Sequence, residues 1–263
     1  QRGDMDAIAN NSGVVYDGFE TRISGVTLGY DMRPTEDSLL GVAASYSTTE
    51  IDQKNFRSGE DASINSVHAS LYGAMDLTPE FPELFVDATI TGSWNNTEGN
   101  RATVVGRTAL YDIDSDQLTG KVNLGYRIAM GDTGATLTPL MSYSESRYNQ
   151  DAYAETGAGD VGLSVEAQKL KQKQAAIGLR LAGTTMWGGM VAKPELTVMA
   201  FKDGGDFAKP IVAQYIGDDT AQASFTTQAL SEGQYDDDSG VKASLGLALL
   251  MSKTSSMNFR YEH

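Results

Sequence analysis

Few residues in this 263-residue chain are equipped for covalent or metal chemistry. Cys is absent, which removes thiolate nucleophiles, disulfide frameworks, Cys-ligated zinc and iron–sulfur clusters. Of the two His residues, His263 ends the chain and His68 is the one positioned to act as a base. Asp218, Asp219 or the run Asp236–Asp238 would have to orient it. No nucleophile motif accompanies His68, so a catalytic role is not expected, and a polar lining role is the plainer reading. The acidic groups Asp151, Glu155 and Asp160, then Asp218-Asp219 and Asp236-Asp237-Asp238, lack the ligand spacing of a calcium loop and read as solvated surface. No metal and no cofactor is expected. Lys169, Lys171 and Lys173 recur at period two, which suits an exposed strand extension able to touch anionic headgroups. Asn10-Asn11-Ser12 reads as polar loop. Twenty Lys and Arg against 35 Asp and Glu give a net charge of −15, which opposes a phosphate backbone and excludes nucleic acid as a partner.

The remaining charges sit at fixed parity within an alternating pattern. Leu40, Val42, Ala44 and Tyr46 alternate with Gly41, Ala43, Ser45 and Ser47, so one face is apolar and the other small and polar. Val67 to Met75, Leu84 to Trp94, Leu118 to Met130, Ile177 to Leu181, Val241 to Leu249 and Met257 to Tyr261 repeat this period. The pattern predicts about ten strands, near 21–33, 39–52, 62–77, 84–97, 114–130, 135–150, 165–185, 190–203, 238–252 and 256–263. Several exceed ten residues, whereas soluble strands typically run about 5–6. A strand that crosses a bilayer needs about 9–11, and no run approaches the 18 apolar residues of a membrane helix. Short links (34–38, 78–83, 131–134, 186–189, 253–255) alternate with long ones (53–61, 98–113, 151–164, 204–237). An antiparallel outer-membrane barrel has this asymmetry, with tight turns on the periplasmic side and long loops outside.

Cost then sets the facing. A charge in hydrocarbon costs several kcal/mol, so Asp87, Lys121, Arg127, Arg180, Glu195 and Lys242 must line the lumen. Tyr30, Tyr46, Trp94, Tyr126, Tyr143 and Tyr261 fall on the apolar face, several near strand ends, as interface aromatics would. The fold class expected is all-β, an antiparallel transmembrane barrel of outer-membrane type forming one domain over 1–263, with 1–20 as an external loop.

Several segments resemble the β-domain of autotransporters, the translocator barrel of type V secretion. They are Ile23-Ser-Gly-Val-Thr-Leu-Gly-Tyr-Asp31, Leu39-Leu-Gly-Val-Ala-Ala-Ser-Tyr-Ser47, Leu71-Tyr72-Gly73, Arg101, Gly125-Tyr126-Arg127, Leu137 to Ser144 with Tyr153-Ala-Glu155, Ala176 to Leu181 and Ser244 to Ala248. The resemblance covers nearly the whole chain through the order and spacing of individually weak motifs. It implies a twelve-stranded barrel that exports and tethers a secreted passenger. A passenger segment would thread the lumen, and the barrel-assembly machinery would insert the domain as a monomer among outer-membrane lipid and lipopolysaccharide. Under that reading the lumen charges are passenger-contact candidates, because a polar segment in a narrow pore needs hydrogen-bond partners. The family pattern also places one strand before residue 1 and another after residue 263. The chain therefore reads as ten strands of twelve, with its first and last strands missing. Two other classes fit the residues: a small outer-membrane pore without a passenger, and a rim protease built on His68.

Overall fold

The computed structural model describes residues 2–5, 8–9, 15–78, 80–131, 134–188, 190–206, 211–217, 225–226, 239–252 and 255–262. Ten long strands follow one another: β1 (Phe19–Met32), β2 (Ser38–Gln53), β3 (Asp61–Thr78), β4 (Phe81–Ala102), β5 (Thr108–Tyr126), β6 (Ala135–Gln150), β7 (Gln168–Gly183), β8 (Met190–Asp206), β9 (Ser239–Ser252) and β10 (Ser255–Glu262). Each pairs antiparallel with the next in sequence, so the sheet is an uninterrupted meander that curls on itself. Within the stretch expected as an external loop, Arg2–Met5 pairs with Phe19–Arg22 of β1 and flanks the sheet there. Among the described residues the other edge is β10.

The burial pattern explains why this sheet needs a bilayer. No large side chain among the described residues is fully buried. The large aliphatic residues instead lie on the convex face: Leu28 is 75% exposed, Ile177 63% and Val241 70%. Residues of the opposite parity, such as Thr138, Ser93 and Thr197, are buried on the concave face. An inverted distribution of this kind is unfavourable in water and favourable in hydrocarbon, where interior and solvent exchange roles.

The strands run past the apolar band. β4 extends to Ala102 and β5 begins at Thr108, so the long link expected over 98–113 is a five-residue turn. Thr103 N–H bonds the Arg107 carbonyl at 2.9 Å, and Gly106 supplies the positive φ of 74°. The strict alternation of short and long links therefore fails here, and the β5–β6 link over 127–134 is longer than the turn expected over 131–134. Beyond the lipid both faces meet water, so the apolar alternation ends while the backbone ladder continues.

Ring-on-glycine pairs pack the concave face. Tyr72 opposes Gly41, Phe85 opposes Gly125 and Phe201 opposes Gly240 in direct cross-strand register. A Cβ at Gly125 would stand 2.5 Å from Phe85 Cζ and 2.8 Å from Leu140 Cδ2. Phe85 and Leu140 are both buried there, at 6% and 4%. Gly125→Val is expected to cost about 1–3 kcal/mol by overpacking. Gly120→Ala, which enters open space, should be neutral. Urea unfolding of both variants in lipid vesicles checks this, and equal midpoints would remove the packing role of Gly125.

Candidate functional site

Four of the six charged residues expected to line the lumen converge. Lys121 on β5, Arg180 on β7, Glu195 on β8 and Lys242 on β9 line one concave groove of about 140 Å³, shared with Asn123, Gln174 and Thr197. Register relates Lys121 to Gln174, the partner of Lys242, while Arg180 and Glu195 lie nearer the turn ends of β7 and β8. Lys121 opposes Ser144, Ser144 opposes Gln174, and Gln174 opposes Asp203, a row across four strands. Gln174 is the hub of the row: its Nε2 donates to Asp203 Oδ1 at 2.7 Å, and its Oε1 accepts from Lys242 Nζ at 2.7 Å. Lys242 also lies 4.9 Å from the centroid of the Phe201 ring. Arg180 and Glu195 approach at 3.7 Å, and the buried Arg180 Nε makes no hydrogen bond. Among the described residues the Lys121 ammonium has no ion-pair partner. The groove thus presents fixed donors and acceptors of both signs, with at least two donor positions unsaturated.

The other two candidates are not among the residues lining this groove. Asp87 accepts from Asn123 Nδ2 at 2.6 Å, which ties it to the edge of the groove. Arg127 is apart. It donates to Asp76 Oδ1 at 2.7 Å and to the Pro82 carbonyl at 3.2 Å, and it lies 4.3 Å over the Phe85 ring. Those contacts brace β5 against β3 and the β3–β4 turn.

The aromatic residues divide by height. Tyr30 and Tyr126 lie near the turn ends of β1 and β5, and Tyr46, Trp94 and Tyr143 lie nearer the loop ends of β2, β4 and β6. All five face the convex side, from 40% exposed for Tyr126 to 71% for Tyr30. Tyr261 belongs to β10, opposite Leu245, and its side chain lies outside the described residues.

His68 stands midway along β3, with its Nε2 3.1 Å from Ser47 Oγ and its Nδ1 2.7 Å from Ser93 Oγ. Both ring nitrogens are occupied by hydroxyls of adjacent strands, an arrangement that fixes the ring as lining. Asp218, Asp219 and Asp236–Asp238 lie outside the described residues.

A second cluster, not assembled by sequence reasoning, lies at the loop end. Arg101 at the tip of β4 donates from Nε and Nη2 to the two oxygens of Glu155, at 2.8 and 2.6 Å. Leu163 N–H adds 2.8 Å to the same carboxylate, which is 4% exposed. The pair joins the barrel wall to a small external sheet of Tyr153–Ala154, Leu163–Val165, Val212–Tyr215 and Phe225–Thr226. A bridge between Leu110 and Thr156, 2.8 Å in both directions, continues the connection. The Glu155 carboxylate raises the Arg101 guanidinium, and burial pushes the Tyr111 and Tyr153 hydroxyls up. Arg101 and the Tyr153-Ala-Glu155 segment were each legible as separate motifs. Nothing in their spacing announces that they meet.

A curled antiparallel sheet with a lipid-compatible convex face and a polar concave face defines an outer-membrane β-barrel domain. The sequence profile of the autotransporter β-domain matches residues 4–262, and the chain belongs to that family. It is similar to the outer membrane protein A of Rickettsia conorii (28% identity over 197 residues, 71% of this chain) and to outer membrane protein B of Rickettsia rickettsii (24% over 178 residues, 64% of this chain). The chain spans about a tenth of the length of these relatives. Among solved structures it resembles the translocator domain of NalP from Neisseria meningitidis (TM-score 0.69, 13% identity, 99% of this chain and 78% of that one). It also resembles the β-domain of BrkA from Bordetella (TM-score 0.60, 12% identity, 93% and 84%). The protein is therefore a translocator-type barrel of the bacterial outer membrane, as the resemblance implied.

Proposed function

We propose that this domain exports a covalently linked passenger and then tethers it at the cell surface, with no catalytic step of its own. In this reading it is a monomer inserted by the barrel-assembly machinery. Lipid does not tolerate unpaired strand edges, which favours a closed barrel over the open sheet. The observation that carries the proposal is the concave groove, which Lys121, Arg180, Glu195 and Lys242 line together. A polar polypeptide segment in the lumen would give the Lys121 ammonium a fixed partner, which a water-filled pore leaves to solvent.

The paired variants Lys121→Gln and Lys242→Gln are expected to lower surface display of the native passenger about fivefold, the equivalent of ~1 kcal/mol of lost segment binding. Protease accessibility of the passenger on intact cells, at equal barrel content of the outer membrane, measures it. The native full-length protein in a planar bilayer is expected to conduct weakly because the segment occludes the lumen. A large stable conductance would overturn the proposal in favour of a diffusion pore.

A further inference from the structure

Just beyond the apolar band, the convex face is divided by charge. On β2 to β5 it carries Glu50, Asp52, Asp61, Glu98, Asp112 and Asp114, outward at the same parity as Tyr46, Val67, Trp94 and Leu118. On β6 to β8 the sign reverses. Arg147, Lys169, Lys171, Lys173 and Lys202 share the outward parity of Tyr143, Ile177 and Val198. Register sets them close together. Tyr143, Ala175 and Lys202 form one row across three strands. In the next outward row Glu145 opposes Lys173, and above it Arg147 opposes Lys171. Five of the chain's twenty basic residues thus occupy one outward sector of three strands, in a protein of net charge −15.

Three outward carboxylates, Glu145, Asp206 and Asp116, stand beside the five cations of this sector. Glu145 is shared by Lys171 at 3.1 Å and Arg147 at 2.9 Å. Hydrogen bonds from Lys171 first and Arg147 second hold its carboxyl below the usual range. Asp206 lies opposite Lys171 at the far end of β8, and Asp116 on β5 is engaged by Asn149 at 2.9 Å. Lys173 is exposed and has no ion-pair partner among the described residues. Lys173 and Lys202 flank the level of Tyr143, an outward-facing aromatic of β6, where acyl chains give way to headgroups.

We propose that this sector is a binding face for the phosphate groups of a phosphorylated glycolipid of the outer leaflet, seated by Lys173 and Lys202 with Arg147 and Lys171 above. The position argues for a lipid rather than a soluble anion. The cations stand directly over a lipid-facing apolar surface, so one amphiphile can fill both. Basic groups at a charged membrane surface attract anionic headgroups, and several acting together select such a lipid. The acidic sector on β2 to β5 would repel the same headgroups unless divalent cations bridge them. The barrel would therefore carry an asymmetric lipid annulus. The inference rests on the convex face meeting the outer leaflet and is independent of what occupies the lumen.

The test uses the full chain in nanodiscs of phosphatidylethanolamine doped with bisphosphoryl lipid A, followed by release into mild detergent and native mass spectrometry of retained lipid. Wild type should retain lipid A at least about tenfold over phosphatidylethanolamine, and dephosphorylated lipid A should lose that preference. Lys173→Gln with Lys202→Gln should lower retention of bisphosphoryl lipid A about tenfold without altering passenger display. The double Arg replacement should keep retention, and Lys121→Gln in the lumen should leave it unchanged. Equal retention of phosphorylated and dephosphorylated lipid by wild type would overturn the proposal without needing any variant to fold. So would unchanged retention by the double Gln variant.

Discussion

Replacing Glu155 by Ala is expected to open the external sheet while leaving the barrel wall intact. The carboxylate is 4% exposed, and three donors converge on it: Arg101 Nε, Arg101 Nη2 and Leu163 N–H. Removing it strands a guanidinium at the tip of β4 and an amide in Leu163–Val165. Breaking one side of a buried pair costs about 3–5 kcal/mol, more than the pair itself contributes, because the remaining group stays desolvated. The backbone bonds of the external sheet are few, with Leu163–Val165 meeting Val212–Tyr215 over three residue pairs. They cannot hold the sheet against a loss of that size. Hydrogen exchange at Leu110, Thr156 and Leu163 should rise by at least a hundredfold, from about 3 kcal/mol of lost protection. Exchange in the centres of β4 and β5 should not change. Arg101→Lys keeps the charge but loses the two-pronged geometry, so it should fall between wild type and Glu155→Ala. Unchanged exchange at Leu110 and Thr156 in Glu155→Ala would mean that backbone pairing alone secures the external sheet.

This external brace shows where sequence reasoning stops. The ten strands were legible because lipid outside and a polar lumen inside impose a strict period of two. That same physics turns the charges within the hydrocarbon band inward on parity alone. Beyond the hydrocarbon the constraint lapses, so the outer halves of β4 and β5 read as loop although their ladder runs on to Ala102 and Thr108. Contacts that join separate loops have no sequence period at all. Arg101 and Glu155 lie 54 positions apart, and only the height of the strands brings them together. The lumen groove was legible in part. Parity placed Lys121, Arg180, Glu195 and Lys242 on one face, but which of their neighbours they meet there depends on register, which parity does not supply. Arg127 shows the limit from the other side. Its parity is correct, yet a turn carbonyl, Asp76 and the Phe85 ring hold it as a brace at the turn end.

The assignment of faces makes a second prediction from two adjacent residues of β4. Ile90 is 47% exposed on the convex side and lies between Val86 and Trp94, near the middle of the apolar band. Thr91 points inward, where its hydroxyl shares a 2.8 Å hydrogen bond with Ser70 Oγ. Ile90→Arg must place a guanidinium in hydrocarbon and is expected to cost about 2–4 kcal/mol. Thr91→Arg loses one neutral hydrogen bond, net about 1 kcal/mol, and its charge remains in the solvated lumen. The same substitution one residue apart should therefore differ by about tenfold or more in unfolding equilibrium, read by urea titration in phospholipid vesicles. In detergent-free water the order should reverse or vanish, because the convex face would then be the solvated one. If both variants cost the same in vesicles, the convex face is not the lipid face, and the charges at Asp87, Lys121, Arg180 and Lys242 do not line a lumen. The two outcomes separate a membrane barrel from a soluble curled sheet without reference to any relative, because the only variable is the medium that each face meets.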